Sequence, residues 1–136
     1  MVSFTPTDDQ QLLVETINRY ALNDLRKHAH DADESGAMPG SVIQAGWQMG
    51  LVPSAIPEEL GGLGELSAVT GVLAVEALAF GDLSAALEIL TPGLVAYPVA
   101  LYGTAEQRES LLPLFLEEKA PRVSAALMEP GVCFDP

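Results

Sequence analysis

The sequence predicts an all-α fold, a bundle of about five or six helices followed by one C-terminal strand. Apolar residues recur at helical spacing through most of the chain, and clusters of glycine and proline separate these stretches. Strand-like alternation begins at Val123 and runs to Met128, before a Glu-Pro-Gly turn. Because a lone strand leaves its backbone edges unpaired, we expect it to begin a β-domain that this sequence does not contain.

The first two helices have recognisable start and stop signals. Thr5 is the expected N-cap before Pro6, and the apolar periodicity that follows predicts a helix to about Ala32. A second helix is expected from about Ser41, with Ser41 as its cap and Gly50 as its C-terminal stop.

A loop and a strongly apolar helix come next. The stretch from Val52 to Gly64 is too rich in proline and glycine for regular structure, which predicts a structured loop. From Glu65 to Phe80 the sequence is apolar nearly all round, so we expect a helix that is buried on most of its sides.

A broken apolar helix follows the Phe80 region. Asp82 or Ser84 is placed to cap it, and Thr91-Pro92-Gly93 is expected to interrupt it before it continues to Tyr102.

The last helix has a capping-box signal. Thr104 is followed three residues later by Gln107, which predicts a helix that begins there and runs to about Glu118. Pro121 is expected to close the helical part of the chain.

Charge and composition exclude several classes of partner. The chain has 136 residues, 6 of them basic and 19 acidic, for a formal net charge of -13, which repels phosphate backbones and anionic lipid. We therefore expect no nucleic-acid partner. Hydrophobic residues make up 49% of the chain, and this predicts some apolar surface that meets a neighbouring protein.

Several observations predict a cytoplasmic protein without a membrane span. The single cysteine, Cys133, permits no internal disulfide and fits a reducing compartment. The stretch from Met1 to Gln11 is polar and does not resemble a signal peptide. The most apolar stretch, Ala85 to Gly103, carries Glu88 and two prolines and falls short of a clean membrane span.

Two polar motifs can be interpreted either as ligand-binding sites or as ordinary structural features. His28 and His30 could begin a metal cluster, but residues two apart on a helix point to different sides, so a solvated helix end is favoured and no metal is expected. Gly61-Gly62-Leu63-Gly64 could cradle a phosphate, but no strand precedes it and no lysine follows. A turn-rich loop that shapes a cavity is the favoured interpretation.

Two reactive side chains have similar alternatives. Glu76 lies in an apolar stretch, where a buried carboxylate could act as a general base, but a structural ion pair with an arginine is favoured. Cys133 has no basic neighbour in sequence to lower the pKa of its thiol, so a bystander role is favoured over a nucleophilic one. No residue of the chain is assigned a catalytic role.

Three motifs, in order and in register, resemble the acyl-CoA dehydrogenase family over essentially the whole chain. They are PEELGGLG at Pro57 to Gly64, LYGTAEQR at Leu101 to Arg108 with Leu112-Pro113 after it, and ALMEPG at Ala126 to Gly131.

The resemblance implies a domain organisation. Members of that family have an α-helical N-terminal domain, a β-barrel middle domain and a C-terminal four-helix bundle, with FAD bound between the last two and against a dimer partner. By this resemblance residues 1–121 form the helical domain, and residues 122–136 are the start of a truncated flavin-contacting β-domain. A homo- or hetero-oligomer is implied as well.

The resemblance also implies which residues meet the cofactor. The family's turn reads Thr-Glu-Pro-Gly-Ala-Gly-Ser-Asp, and here Met128, Cys133 and Phe134 stand in place of the threonine, the second glycine and the serine. Since two hydroxyl groups beside the flavin are replaced, we expect FAD in the complete enzyme but not bound to this chain alone. The cofactor-contacting positions carried over from the family are Leu127, Met128, Gly131, Cys133 and Phe134.

An apolar stripe across the Pro92 break has two interpretations. Leu87, Leu90, Leu94 and Tyr97 repeat at helical spacing, which ordinarily indicates core packing. The resemblance implies instead that they line the pocket for the acyl chain of an acyl-CoA substrate.

Two functions are therefore predicted as alternatives. In the first, the chain is the N-terminal part of an FAD-dependent enzyme of fatty acid metabolism that removes an α-proton and a β-hydride from an acyl-CoA thioester, with the catalytic carboxylate elsewhere. In the second, it is a non-catalytic helical subunit or interaction module derived from that family. We expect the chain alone to be inactive.

Overall fold

The computed structural model describes residues 5–64 and 66–126, and 70% of these residues are helical. The predicted all-α class is therefore confirmed. The helices are α1 (Asp8–Tyr20), α2 (Arg26–Ser35), α3 (Gly40–Trp47), α4 (Ala68–Gly81), α5 (Leu83–Leu90), α6 (Gly93–Tyr102) and α7 (Ala105–Leu111), with short 3-10 turns at Pro53–Ala55, Glu58–Leu60 and Leu112–Phe115.

The first helix is capped by Thr7, so the prediction that placed the cap at Thr5 is wrong. Thr7 Oγ1 accepts a hydrogen bond from Gln10 N at 3.2 Å, and Gln10 Oε1 accepts one from Thr7 N at 3.0 Å. Thr7 is the cap because Gln10, three residues later, returns the second hydrogen bond of a capping box.

α1 and α2 form one long helical segment with a single wide turn between them. Residues Ala21–Leu25 are π-helical, and the helix then continues to Ser35, a little beyond the expected end at Ala32. It ends at Gly36, whose φ of 77° suits glycine, and Gly36 N donates to Ala32 O at 2.8 Å.

α3 begins one residue before the predicted cap. Pro39 occupies the N-cap position, and its carbonyl oxygen accepts hydrogen bonds from Val42 N at 2.9 Å and Ile43 N at 3.2 Å. The prediction that Ser41 caps the helix is wrong, because Ser41 already lies within its first turn. The stop at Gly50 is confirmed, since Gly50 has a φ of 71° and donates to Trp47 O.

α4 and α1 run side by side in the same direction. Gln10 Nε2 donates to Thr70 Oγ1 at 3.0 Å near the start of both helices, and Gly81 packs against Ala21 near their ends. Ser67 caps α4 by accepting from Thr70 N at 3.3 Å.

The prediction that α4 is buried on most sides is wrong. Its small residues face the core, with Ala74, Ala77, Leu78 and Gly81 buried. The opposite face is open, and Val72 is 66% exposed. The sequence pattern misleads here because Val69, Val72 and Val75 lie on the exposed face, so the helix looks uniformly apolar although α1 and α5 cover one side of it.

The predicted break at Thr91-Pro92-Gly93 is confirmed and separates α5 from α6. Asp82 caps α5, its carboxylate accepting from Ala85 N at 2.7 Å. Leu83–Tyr102, taken as one segment, is long and apolar enough to span a membrane by length and composition, but core helices of soluble proteins pass the same test. Here Ala86, Ile89 and Ala96 are buried in the helical core.

The capping box of α7 is confirmed, but the helix is shorter than predicted. Thr104 Oγ1 accepts from Gln107 N at 3.2 Å and Gln107 Oε1 accepts from Thr104 N at 2.8 Å. α7 ends at Leu111 and not near Glu118, because Pro113 lacks an N–H and the chain tightens into the 3-10 turn Leu112–Phe115.

After α7 the chain returns across α3. Residues 121–126 are irregular, so the described part of the strand expected from Val123 is not formed. No other strand of the described chain lies beside it to supply backbone partners. Residues 127–136 lie outside the described residues, and the domain boundary near residue 121 stays a prediction.

Two apolar clusters make the core. The first joins α1, the π-turn, α3, α4 and α5 around Ile17, Leu25, Leu78 and Ile89. The second joins the end of α3, the loop after it, α6 and the last 3-10 turn; it includes Trp47, Val52, Ile56, Ala96, Leu112 and Phe115.

Candidate functional site

The described chain has a large apolar groove between the start of α1, α4, α6 and the loop after α3. Its volume is about 970 Å³, in the range of small-molecule sites in proteins. The walls are Leu13, Met49, Leu51, Ala55, Leu66, Val72, Val75, Leu90, Leu94 and Tyr97, together with several small and polar residues.

Three of the residues predicted to line a substrate pocket come together here. Leu90, at the end of α5, and Leu94 and Tyr97, on the first turns of α6, line the groove opposite α4. Leu94 is 61% exposed, so it belongs to the open wall and not to the core. Leu90 is half-buried and packs against both core clusters.

Leu87, the fourth predicted residue, does not line the groove. It is 60% exposed, because α5 turns Ala85, Ala86 and Ile89 toward the core and leaves Leu87 on the outer side. Leu87 and Leu90 lie on the same helix, but Leu87 is on its exposed side, whereas Leu90, its last residue, is half-buried and reaches the groove.

Hydrogen-bonded polar residues from two helix starts also line the groove. Gln10 Nε2 donates to Thr70 Oγ1 at 3.0 Å, and Thr70 Oγ1 donates to Ser67 Oγ at 3.0 Å. All three residues line the groove, together with Thr7. The sequence analysis did not identify this cluster, because the residues it joins are 60 positions apart and each is also explained by helix capping.

Tyr97 brings a phenol group to the apolar wall. Its ring lies over Gly93, where a Cβ atom would be 2.8 Å from Tyr97 Cε2, so glycine makes room for the ring. Burial raises the pKa of the Tyr97 phenol above its ordinary value. Within the described chain no group makes a hydrogen bond to its hydroxyl.

Glu76 lies in the groove lining and not in a buried ion pair. Its side chain is exposed on α4, and no arginine of the described chain pairs with it. The structural ion pair expected for Glu76 is therefore wrong, for the same reason that α4 is less buried than its composition suggested. Asp9 is the other charged residue in the described lining, so the charge in the groove is negative.

The glycine-rich loop supports the groove and does not form a phosphate cradle. Gly62 N donates to Pro57 O at 3.0 Å, Leu63 N to Pro53 O at 3.1 Å and Gly64 N to Ile56 O at 3.3 Å. These N–H groups are used within the loop and are not free to bind an anion. Gly64 is also needed because a Cβ atom there would lie 2.6 Å from Ser54 O, on a segment that lines the groove.

The two histidines lie on the solvated side of α2. His28 Nδ1 is 2.8 Å from Asp24 O, and His30 Nε2 is 3.6 Å from Glu34 Oε1, with both partners of the second pair largely exposed. This arrangement agrees with the interpretation as a solvated helix end.

The positions expected to contact FAD all belong to the last ten residues of the chain. Leu127, Met128, Gly131, Cys133 and Phe134 lie outside the described residues. They stay predictions, and no flavin contact is derived from the helices.

The sequence-family model for the acyl-CoA dehydrogenase N-terminal domain matches residues 7–119 of this chain. The chain belongs to the acyl-CoA dehydrogenase family. Among solved structures, butyryl-CoA dehydrogenase from Megasphaera elsdenii superposes with a TM-score of 0.75 at 27% identity, covering 86% of this chain and 31% of that one. A chain from the electron transferring flavoprotein structure of Acidaminococcus fermentans also has a TM-score of 0.75, at 25% identity, covering 88% and 31%.

Curated relatives carry names of different acyl-CoA dehydrogenases. The "Probable medium-chain specific acyl-CoA dehydrogenase 2, mitochondrial" of Caenorhabditis briggsae is 31% identical over 98% of this chain and 32% of its own length. The short/branched chain specific acyl-CoA dehydrogenase of Bos taurus is 32% identical, over 88% and 28%. Cyclohexane-1-carbonyl-CoA dehydrogenase of Geobacter metallireducens is 27% identical, over 97% and 34%. The chain thus spans about a third of the length of the relatives it matches.

Proposed function

We propose that this chain is the helical N-terminal domain of an FAD-dependent acyl-CoA dehydrogenase and that its groove receives the acyl part of an acyl-CoA thioester. The observation that carries the proposal is the apolar groove of about 970 Å³ in a domain of this family. Its long walls are formed by α4 and α6 and suit an apolar chain. Burial of such a chain against them is favourable by about 25 cal/mol per Å² of apolar surface removed from water.

The domain's own contribution is to bind and orient the acyl group and to exclude water from it. Leu94 and Val72 are exposed at 61% and 66%, so apolar surface is available to an acyl chain without rearrangement of the core. In the whole enzyme, FAD would supply the acceptor for the β-hydride, and a carboxylate outside this chain would take the α-proton. No described residue is assigned to either step.

A binding experiment on the 136-residue chain tests the groove. Titration with octanoyl-CoA should shift the backbone amide resonances of Val72, Leu94 and Tyr97 in a two-dimensional NMR spectrum. Free CoA should leave these three unchanged, because it lacks the acyl chain. Equal shifts with free CoA, or no shifts at the groove with octanoyl-CoA, would refute the proposal.

A matched pair of variants locates the binding surface. Leu94→Asp places a charge on the groove wall and should abolish the octanoyl-dependent shifts. Leu101→Asp is the control, since Leu101 lies on the same helix at 46% exposure but outside the groove lining. Equal loss of binding in both variants would show that the effect is not specific to the groove.

Because Met128 and Phe134 replace the two hydroxyl residues that the family resemblance places beside the flavin, the chain alone is expected to be colourless and inactive. Addition of excess FAD followed by dialysis should leave no flavin absorbance. Dye-coupled assays with several acyl-CoA lengths should show no turnover above the blank. A stoichiometric yellow protein would place the flavin site on this chain.

A second candidate function is supported by a separate apolar surface. Phe80, Leu83 and Leu87, around the α4–α5 turn, are each about 60% exposed, which favours contact with a further protein surface. A non-catalytic helical module in a homo- or hetero-oligomer would use this face and not the groove. Self-association that Leu87→Asp abolishes, together with failure of octanoyl-CoA to bind, would favour this alternative.

A further inference from the structure

The Tyr97 hydroxyl has an unusual place in the apolar wall of the groove. It is the one tyrosine oxygen in the described lining, and no described group makes a hydrogen bond to it. By contrast, Tyr20 Oη donates to Val42 O at 2.7 Å. A half-buried phenol that lacks a protein partner needs an acceptor from the ligand once the ligand displaces water from the groove.

The position of Tyr97 is fixed by its own helix. Its ring packs over Gly93, one turn earlier on α6, and its half-buried side chain also contacts the second core cluster. These two contacts fix the Tyr97 side chain at the groove wall. Little rotamer freedom is therefore lost when its hydroxyl binds a ligand oxygen.

Polar groups elsewhere in the groove also have unused donors. Ser67 Oγ accepts from Thr70 N and from Thr70 Oγ1, and no described group accepts its own hydroxyl hydrogen. Gln10 Nε2 uses one of its two hydrogens on Thr70 Oγ1. An entirely apolar ligand would leave these donors, and that of Tyr97, without a partner.

The charges in the groove limit what the acceptor can be. The charged residues in the described lining are Asp9 and Glu76, and no lysine, arginine or histidine accompanies them. A carboxylate on the acyl chain would meet like charges without a cation to pair with. A neutral oxygen atom is not repelled by these two carboxylates and needs no cation as a partner.

We propose that the groove is selective for an acyl group that carries a neutral oxygen function, a hydroxyl or a keto group, and that Tyr97 donates a hydrogen bond to that oxygen. This inference rests on the proposed function, because it assumes that the groove receives an acyl chain. It adds a substrate class, an oxygenated acyl thioester, and a residue that determines specificity.

The test compares acyl-CoA ligands of one length on the full 136-residue chain. The ligands are octanoyl-CoA, its mid-chain hydroxy and ω-hydroxy derivatives, and the ω-carboxy derivative, each measured by calorimetry. At least one hydroxy derivative should bind about 2- to 10-fold more tightly than octanoyl-CoA, the range that one hydrogen bond provides. The ω-carboxy derivative should bind more weakly than its ω-hydroxy counterpart.

Two tyrosine variants assign the preference to one hydroxyl. Tyr97→Phe keeps the ring over Gly93 and removes the donor, so the ratio of hydroxyoctanoyl to octanoyl affinity should fall to about one. Tyr102→Phe is the matched control, because Tyr102 is 85% exposed on the same helix and does not line the groove. It should keep the ratio of the unsubstituted chain.

The possible results separate this inference from the proposed function. If octanoyl-CoA does not bind in the groove, the proposed function is wrong and this inference with it. If octanoyl-CoA binds but no hydroxy derivative is preferred, or Tyr97→Phe keeps the preference, the acyl groove stands and the inference about Tyr97 is overturned.

Discussion

Gly81 packs so closely against Ala21 that no side chain fits between them. A Cβ atom at Gly81 would lie 2.8 Å from Ala21 O and 2.9 Å from Ala21 Cα. Ala21 opens the π-turn of the first long helical segment, and Gly81 ends α4. This contact sets the separation of α1 and α4 at one end, and the hydrogen bond between Gln10 and Thr70 joins them at the other.

Gly81→Ala should therefore destabilise the domain. The added methyl group forces two backbones apart, and overpacking of this kind costs about 1 to 3 kcal/mol. Urea unfolding followed by circular dichroism measures the change.

Gly71→Ala is the matched control on the same helix. A Cβ atom at Gly71 meets nothing within 4 Å, so alanine adds helix propensity without a clash. The free energy of unfolding should rise by about 0.5 to 1 kcal/mol. Equal effects of the two substitutions would contradict the close contact at Gly81.

A second prediction concerns the segment that follows α7. Gln44 Nε2 donates to Glu118 O at 2.7 Å, Gln44 Oε1 accepts from Ala120 N at 3.5 Å, and Trp47 Nε1 donates to Glu117 O at 3.0 Å. Gln44→Ala removes two of these bonds and should destabilise the domain by about 1 to 2 kcal/mol. Hydrogen exchange should accelerate at the Ala120 amide.

The neighbouring glutamine provides the control for Gln44. Gln48 Nε2 reaches Glu118 Oε1 at 3.4 Å in an exposed pair, which contributes little. Gln48→Ala should leave the exchange of Ala120 nearly unchanged. Similar acceleration in both variants would show that the segment is not held by Gln44.

A third prediction concerns high pH. Burial, with a smaller effect of the Asp24 carboxylate, raises the pKa of Tyr20 from 10.0 to about 12, and a backbone hydrogen bond at Gly46 opposes the shift. The folded state thus holds the phenolic proton more tightly than the unfolded chain. The stability that follows is fully present below pH 10 and is lost as the pH rises toward 12.

Ultraviolet absorbance of tyrosinate tests this prediction. Tyr20→Phe should remove the component that titrates near pH 12, and Tyr102→Phe should leave it in place. Tyr20→Phe also removes the hydrogen bond to Val42 O, so a loss of about 0.5 to 1.5 kcal/mol is expected near neutral pH. If the component near pH 12 survives in Tyr20→Phe, the assignment is wrong.

Local chemistry explains what the sequence could predict. Thr104 and Gln107 form their capping box within one turn, and the break between α5 and α6 follows from the adjacent Pro92 and Gly93. Features that depend on distant partners were missed. Leu87 faces outward because α5 presents its alanines to the core, and helical spacing alone does not show which face of the helix is buried.

The residues of the candidate site also divide into those that the sequence could place and those that meet only in the fold. Leu90, Leu94 and Tyr97 are close in sequence, so a family resemblance could place them on one wall. Gln10 meets Thr70 only in the fold, through the parallel packing of α1 on α4. Glu76 was expected in an ion pair because an apolar sequence suggested burial, whereas the exposed side of α4 leaves it in the groove lining.

The last prediction separates the groove wall from the core by enlarging two leucines. Leu94 is 61% exposed and lines the groove, so Leu94→Trp should change the free energy of unfolding by less than about 0.5 kcal/mol. Leu90 is packed against both clusters, so Leu90→Trp should overpack the core and cost about 1 to 3 kcal/mol. Thermal melting of the two variants gives this comparison. Because the indole of Leu94→Trp fills part of the groove, its preferred acyl chain in a series of acyl-CoA ligands should be shorter than that of the unsubstituted chain. A destabilised Leu94→Trp with unchanged chain-length preference would place Leu94 in the core and remove it from the groove wall.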